Sequence, residues 1–109
     1  MMTAYAKGRA FEYEVQRMFE AAGFHVIRAA GSHGVVDLAV KGAVTDFFVQ
    51  CKRREWPSLA EALELYDLGK KYRAVPIIAR KPRRGEIELT EIIQRPTKRG
   101  YHRTPITIG

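Results

Sequence analysis

Asp37, Gln50 and Lys52 are polar residues set in otherwise apolar stretches, and together they have the chemistry to hydrolyse a phosphodiester. Asp37 lies within Val35-Val36-Asp37-Leu38-Ala39-Val40, and the other two end Phe47-Phe48-Val49-Gln50-Cys51-Lys52. Side chains alternate along a strand, so Gln50 and Lys52 share one face and Cys51 takes the opposite, core-facing one. If the two stretches pair as a hairpin, Asp37 can lie on the side of Gln50 and Lys52, and a carboxylate, a second oxygen donor and a lysine converge. Hard oxygen donors hold Mg²⁺, the cation polarises the phosphate and activates water, and the lysine offsets charge in the transition state or orients the water. Taken singly, most of the candidates have ordinary readings. Gln50 and Lys52 read as a solvent-facing pair, Ser32 and Gly34 as turn residues, His33 as a loop histidine, and Trp56 as a core or interface anchor. Asp37 is the exception, because a carboxylate in an apolar strand is disfavoured by propensity and costly when buried unpaired.

The elements that must position these residues are legible as an αβββαβ order. Phe11, Val15, Met18, Phe19 and Ala22 recur at helical spacing between Tyr5 and Ala22, and Gly23 supplies the stop. Residues 24–28 and 35–40 read as strands around the Gly31-Ser32-His33-Gly34 turn, and a third strand spans 45–52. Ser58-x-x-Glu61 is a capping box that opens a second helix running to about Lys71. That helix carries two apolar stripes: Leu59, Ala62, Leu63 and Tyr66, then Leu65, Leu68 and Tyr72. Residues 74–79 read as a short apolar strand, 81–85 as a basic turn, and 87–93 as a weaker strand or edge. Beyond Arg95 the composition turns to Pro, Gly, Thr and basic residues, which suggests a tail with little core of its own. The expected fold is a single α/β domain over 1–94, followed by a basic C-terminal tail over 95–109.

Bulk properties limit the alternatives. A chain of 109 residues with 46% hydrophobic content suits one compact domain. The single cysteine excludes an intramolecular disulfide, and no paired Cys or His spacing suggests a structural zinc site. No stretch has the apolar length of a membrane span, and the N-terminus lacks a signal-peptide core, so a cytoplasmic protein with no membrane partner is expected. Lys and Arg total 19 against 12 Asp and Glu, a net charge of +7. A surplus of that size attracts polyanions, of which nucleic acid is the commonest inside a cell. The basic residues gather at Lys52 to Arg54, Lys70 to Arg73, Arg80 to Arg84 and Arg95 to Arg103, mostly in loops and element ends.

At these residues the sequence resembles a family. Asp37 followed by Gln50-Cys51-Lys52 is similar to the D…(E/Q)xK core of the PD-(D/E)XK nucleases. Lys7-Gly8-Arg9-Ala10-Phe11-Glu12 resembles the K-G-x-x-x-E opening of archaeal-type Holliday junction resolvases. Arg28 to Asp37 resembles their R-x-x-G-S-x-G-x-x-D segment. The likeness covers roughly residues 7–80 and admits phage- or virus-encoded members. It implies a restriction-endonuclease-like domain with a central mixed sheet flanked by helices. It further implies a homodimer that cuts four-way DNA junctions with Mg²⁺, or Mn²⁺ as a substitute, and needs no small-molecule cofactor. Residue by residue, Glu12 would bring a carboxylate to the metal directly or through water, Asp37 would be the central ligand, and Gln50 the second side-chain ligand. Lys52 would be the catalytic lysine, and Ser32 would sit near the scissile phosphate. The motifs and the basic clusters together make Lys7, Arg9, Arg28, His33, Arg53, Arg54, Lys81, Arg83 and Arg84 the expected DNA contacts.

One departure from the pattern carries weight. The family usually has Glu where this chain has Gln50, and an amide oxygen coordinates a hard cation without bringing charge. Losing one charge about 4 Å from another forfeits on the order of 4 kcal/mol at an effective dielectric near 20, before solvation. Three functions therefore stand open: a junction resolvase, a small nuclease of the same superfamily for repair or phage DNA processing, and a DNA-binding protein that has lost its active site. A junction resolvase must nick two strands, and one site per chain then calls for a two-fold dimer. The second stripe on the second helix offers one apolar surface for it.

Overall fold

The computed structural model describes residues 3–29 and 34–108. Ser32 and His33, expected at the scissile phosphate and on DNA, lie outside the described residues. Helix α1 spans Ala4–Ala21, and Thr3 caps it by accepting a hydrogen bond from the Ala6 amide. Its Phe11, Val15 and Phe19 are buried at four-residue intervals, so one face of the helix is committed to the core. Strands β1 (His25–Arg28), β2 (Leu38–Lys41) and β3 (Asp46–Cys51) follow. Helix α2 (Leu59–Tyr72) then leads to β4 (Ala74–Arg83), β5 (Glu86–Ile92) and β6 (Arg103–Ile106). The strands form one sheet in chain order, antiparallel throughout except that β3 and β4 run parallel. A parallel pair needs a crossover, and α2 provides it.

Alternation along the strands splits the core into two layers. Leu38, Val40, Phe47, Val49, Ile77 and Ala79 pack with the apolar stripe of α1. Ile78 and Ile92 pack with Ala62 and Leu65 of α2, and Phe48 leans on that layer. Cys51 packs against the first layer, as strand periodicity predicts. The mixed sheet between two helices is the expected α/β architecture.

Four local expectations need correcting. The strand expected from Val35 begins only at Leu38, and Asp37 stands just before it. The reason is that the Asp37 carboxylate takes over the acceptor role a backbone carbonyl would have: its Oδ2 receives the Cys51 amide at 2.7 Å. Strand β4 continues through the expected basic turn to Arg83, with an irregular register between Arg80 and Arg83, and Arg84-Gly85 make the actual turn. Where composition suggested a tail, residues 103–106 add a sixth strand to β5. Its Ile106, and Ile108 beyond it, pack on the first core layer, while Tyr101 packs on the second and donates from its hydroxyl to the Pro57 carbonyl. Finally, the buried stripe of α2 is Ala62, Leu65 and Gly69, which cuts across both stripes read from the sequence. Gly69 is there because a Cβ would come 2.5 Å from the Ala74 carbonyl oxygen. Leu65 belongs to the core, which removes it from the surface suggested for a dimer.

Candidate active site

The site is built where β1, β2 and β3 leave the sheet beside the first turn of α2. Leu38 pairs with Val49, so one step further along the antiparallel register Asp37 stands opposite Gln50. The Asp37 amide donates to the Val49 carbonyl at 2.8 Å, and its own carbonyl accepts from Ala29 at 3.0 Å. The residue is thus held on both sides by backbone. Lys52, just past β3, is anchored by its amide on the Ala79 carbonyl at 2.9 Å.

Side-chain contacts tie these positions together. Glu61 in the first turn of α2 accepts from Gln50 Nε2 at 3.0 Å and pairs with Lys52 Nζ at 3.0 Å, both through Oε2. Its other oxygen closes the capping box on the Ser58 amide at 3.0 Å. On the opposite flank, Glu12 of α1 pairs with Arg28 Nη2 at 2.9 Å. Arg28 also reaches Gln16 Oε1 at 3.4 Å and lies 4.1 Å from the centre of the Tyr13 ring. Arg9, one turn before Glu12, donates to the Tyr5 hydroxyl.

Electrostatics mark Asp37 as an uncomfortable anion. Burial pushes its pKa up from 3.8 to about 6; the Cys51 N–H opposes this, the nearby Glu12 charge adds to it, and Lys52 and Arg28 counter it. Glu61 goes the other way. The Ser58 backbone N–H, helped by the Lys52 ammonium against some desolvation, lowers its pKa to about 2. Burial, with the Asp37 and Glu12 charges behind it, pushes the Cys51 thiol well above its usual range, so Cys51 is packing material and not a nucleophile.

Donor chemistry decides whether a divalent cation fits. Among the described residues no cluster of three His, Cys, Asp or Glu is assembled for a metal. The cross-strand neighbours Asp37 and Gln50 are nevertheless hard oxygen donors. Gln50 is 5% exposed, and its Oε1 is buried with no hydrogen-bond partner among the described residues. An unpaired buried acceptor costs roughly 1–3 kcal/mol, and a destabilised carboxylate stands opposite it. A cation would relieve both, so Asp37 and Gln50 fit one, with Glu12 behind them.

The expected DNA contacts divide into two groups. Lys7, Arg9, Arg53, Arg54, Arg83 and Arg84 are exposed, and Lys7, Arg53 and Lys81 line one cleft against α1. Arg28 and Lys81 are half-buried in ion pairs, Lys81 with Glu14 at 2.7 Å. Reasoning from sequence missed Glu61 as a site residue, because the capping box accounted for it in full. It also missed the surroundings of Trp56, whose ring lies between the Arg80 and Arg103 guanidiniums at 3.7 and 3.6 Å.

Known proteins with this pattern are informative. The family model described as archaeal Holliday junction resolvase (Hjc) matches residues 3–104. The crossover junction endodeoxyribonuclease Hjc of Methanocaldococcus jannaschii is 49% identical over 53 residues, which are 48% of this chain and 38% of that protein. The match therefore spans well under half of that relative's length. The structure of Archaeoglobus fulgidus Hjc, a Holliday junction resolvase from an archaeal hyperthermophile, superposes with a TM-score of 0.67 at 25% identity, over 76% of this chain and 70% of that one. With the family model covering nearly the whole chain, and with Asp37, Gln50 and Lys52 placed side by side at the ends of its central strands, this chain belongs to the archaeal Holliday junction resolvase family.

Proposed function

We propose that the chain is a structure-specific DNA endonuclease that resolves four-way junctions by cation-dependent phosphodiester hydrolysis. The observation that carries this reading is that the strand register sets Asp37 opposite Gln50, two residues from Lys52, while Gln50 Oε1 is buried and has no partner among the described residues. Asp37 and Gln50 would hold a divalent cation, Mg²⁺ with Mn²⁺ as a substitute, and Glu12 would add charge behind them. When bound, that cation supplies positive charge to the scissile phosphate and acidifies a water. Lys52 brings its ammonium to the same phosphate and offsets the charge that builds up there. The Cys51 N–H holds one Asp37 oxygen in place, and Arg28 holds Glu12, so the donors are oriented before substrate arrives. Ser32 is assigned to the scissile phosphate and His33 to the DNA flank.

The exposed basic residues Lys7, Arg9, Arg53, Arg54, Arg83 and Arg84 track the backbone, with Lys81 and Arg28 at its edge. Junction resolution requires two nicks, and a chain with a radius of gyration of 13.2 Å brings one site. We therefore assign a homodimer, acting on DNA in the cytoplasm. Gln50 in place of Glu favours the alternative of a binding protein without activity, and the carboxylate of Glu61 at 3.0 Å argues against it. The deciding experiment is cleavage of a labelled four-way junction, with duplex, flap and splayed-arm controls. It is run with and without Mg²⁺, on the wild type and on Asp37→Asn. Cutting that prefers the junction and needs both the cation and Asp37 supports the assignment. Binding without Mg²⁺-dependent cutting of any DNA ends it.

A further inference from the structure

We propose that Glu61 is a further acidic group of the site, a positioning residue that fixes the Gln50 amide with Oε1 uncommitted and supplies the negative charge that Gln50 lacks. This rests on the nuclease reading above. Three observations support it. Gln50 Nε2 donates to Glu61 Oε2 at 3.0 Å, Lys52 Nζ pairs with the same oxygen at 3.0 Å, and Gln50 Oε1 is left buried without a partner among the described residues. An amide has two orientations, and only one is compatible with Glu61. Turning Gln50 over would set its Oε1 against a carboxylate oxygen, two acceptors with no proton between them. The ionised Glu61 therefore dictates that the oxygen, and not the NH₂ group, is the free end. A cation is repelled by an NH₂ group and attracted by a carbonyl oxygen, so this choice of orientation is a choice about metal binding.

The same geometry explains how a neutral residue stands where an acid is expected. Gln50 and Glu61 act as one unit, with the ligand atom on β3 and the charge on α2. A carboxylate at position 50 would instead set a second acceptor about 3 Å from the Glu61 oxygen with no N–H between them. Lys52 gains as well, since its pairing with Glu61 fixes its ammonium beside the Gln50 amide.

Glu61→Gln isolates the charge from the helix cap, because a glutamine at this position still serves a capping box. The test measures binding of Mn²⁺ alone to the full chain, by calorimetry and by the paramagnetic resonance of free Mn²⁺, with no DNA and no turnover. Glu61→Gln is expected to weaken Mn²⁺ binding about 10–100-fold, the range for groups that orient metal ligands. In the Gln50→Glu background the same change is expected to have little effect, since the charge then resides on the strand. Ser58→Ala, which breaks the cap and leaves the carboxylate, should lower the melting temperature and leave Mn²⁺ affinity unchanged. Equal losses from Glu61→Gln in both backgrounds, or no loss in either, overturn the proposal. Asp37→Asn separates it from the reading beneath it. If Asp37→Asn abolishes Mn²⁺ binding and Glu61→Gln leaves it intact, only the role of Glu61 fails. If Asp37→Asn binds Mn²⁺ like the wild type, the nuclease site and this inference fail together.

Discussion

Replacing Asp37 by Asn should make the metal-free protein more stable while it destroys the site. The carboxylate is held where burial raises its pKa from 3.8 to about 6. At roughly 1.4 kcal/mol per pH unit, keeping it ionised above pH 6 costs about 3 kcal/mol, which partial exposure reduces to about 1–2 kcal/mol. Asn has a similar shape and still accepts the Cys51 N–H, so the variant removes the charge and retains the bond. The dependence on pH follows from where the proton sits. Below 3.8 Asp37 is protonated in both the folded and unfolded states, and the two proteins should be alike. Between 3.8 and about 6 the folded wild type holds the proton that the unfolded chain has released, so its stability falls as pH rises through this window. Above that window the advantage of Asp37→Asn is complete, about 4–8 °C in melting temperature for a domain of this size. The assay is thermal unfolding followed by circular dichroism from pH 3 to 8 in a chelating buffer, repeated with Mg²⁺. Added Mg²⁺ should raise the wild type and leave the variant unmoved. A variant that is no more stable than the wild type at pH 7.5, or a difference that is the same at pH 3, would refute the argument that Asp37 is a strained anion.

Four further outcomes are expected. Lys52→Ala should reduce junction cleavage at least about a hundredfold with binding retained, because it removes charge stabilisation at the phosphate; gel-shift and single-turnover rates separate the two effects. Replacing Lys7 and Arg53, which line the same cleft, should flatten the slope of log affinity against log salt by about 0.9 for each phosphate no longer neutralised. An unchanged slope would place the DNA elsewhere. Sedimentation at micromolar concentration should give a dimer, and a monomer that makes single uncoupled nicks in a cruciform plasmid would favour another nuclease activity. Ending the chain after Gln94 should lower stability by about 2–4 kcal/mol, since Ile106 and Ile108 are then removed from the core; chemical denaturation measures it.

The parts of the site that were legible in the sequence are those whose chemistry conflicts with their surroundings. Asp37 stands out against valines and leucine, and a period of two then puts Gln50 and Lys52 on the same face. Glu61 gave no such signal, because an acid three residues after Ser58 is already explained by the helix start. Its second oxygen meets Gln50 and Lys52 only once the crossover has folded α2 back over β3. The strand β6 was hidden for a different reason. Residues 103–106 include a proline, and only half of them face the protein, a pattern that has no strand character until β5 offers an open edge. The stripe on α2 was ambiguous because Leu65 and Leu63 lie on neighbouring faces, and the close approach of Gly69 to Ala74, which decides between them, is a tertiary fact.

The order of the strands also sets when the site can exist. Each antiparallel pairing joins strands that follow one another directly in the chain, but the parallel pair must wait for the whole of α2 to be made. Closing a loop of that length is the slow entropic step in an otherwise local topology. The amide of Lys52 rests on Ala79 of β4, beyond that step. A chain halted before Ala74 would therefore contain Glu12, Asp37, Gln50, Lys52 and Glu61, yet lack the Ala79 carbonyl on which the Lys52 backbone rests. The backbone support of the site lysine thus comes from the one parallel pairing in the sheet, and only a chain long enough to include β4 can provide it.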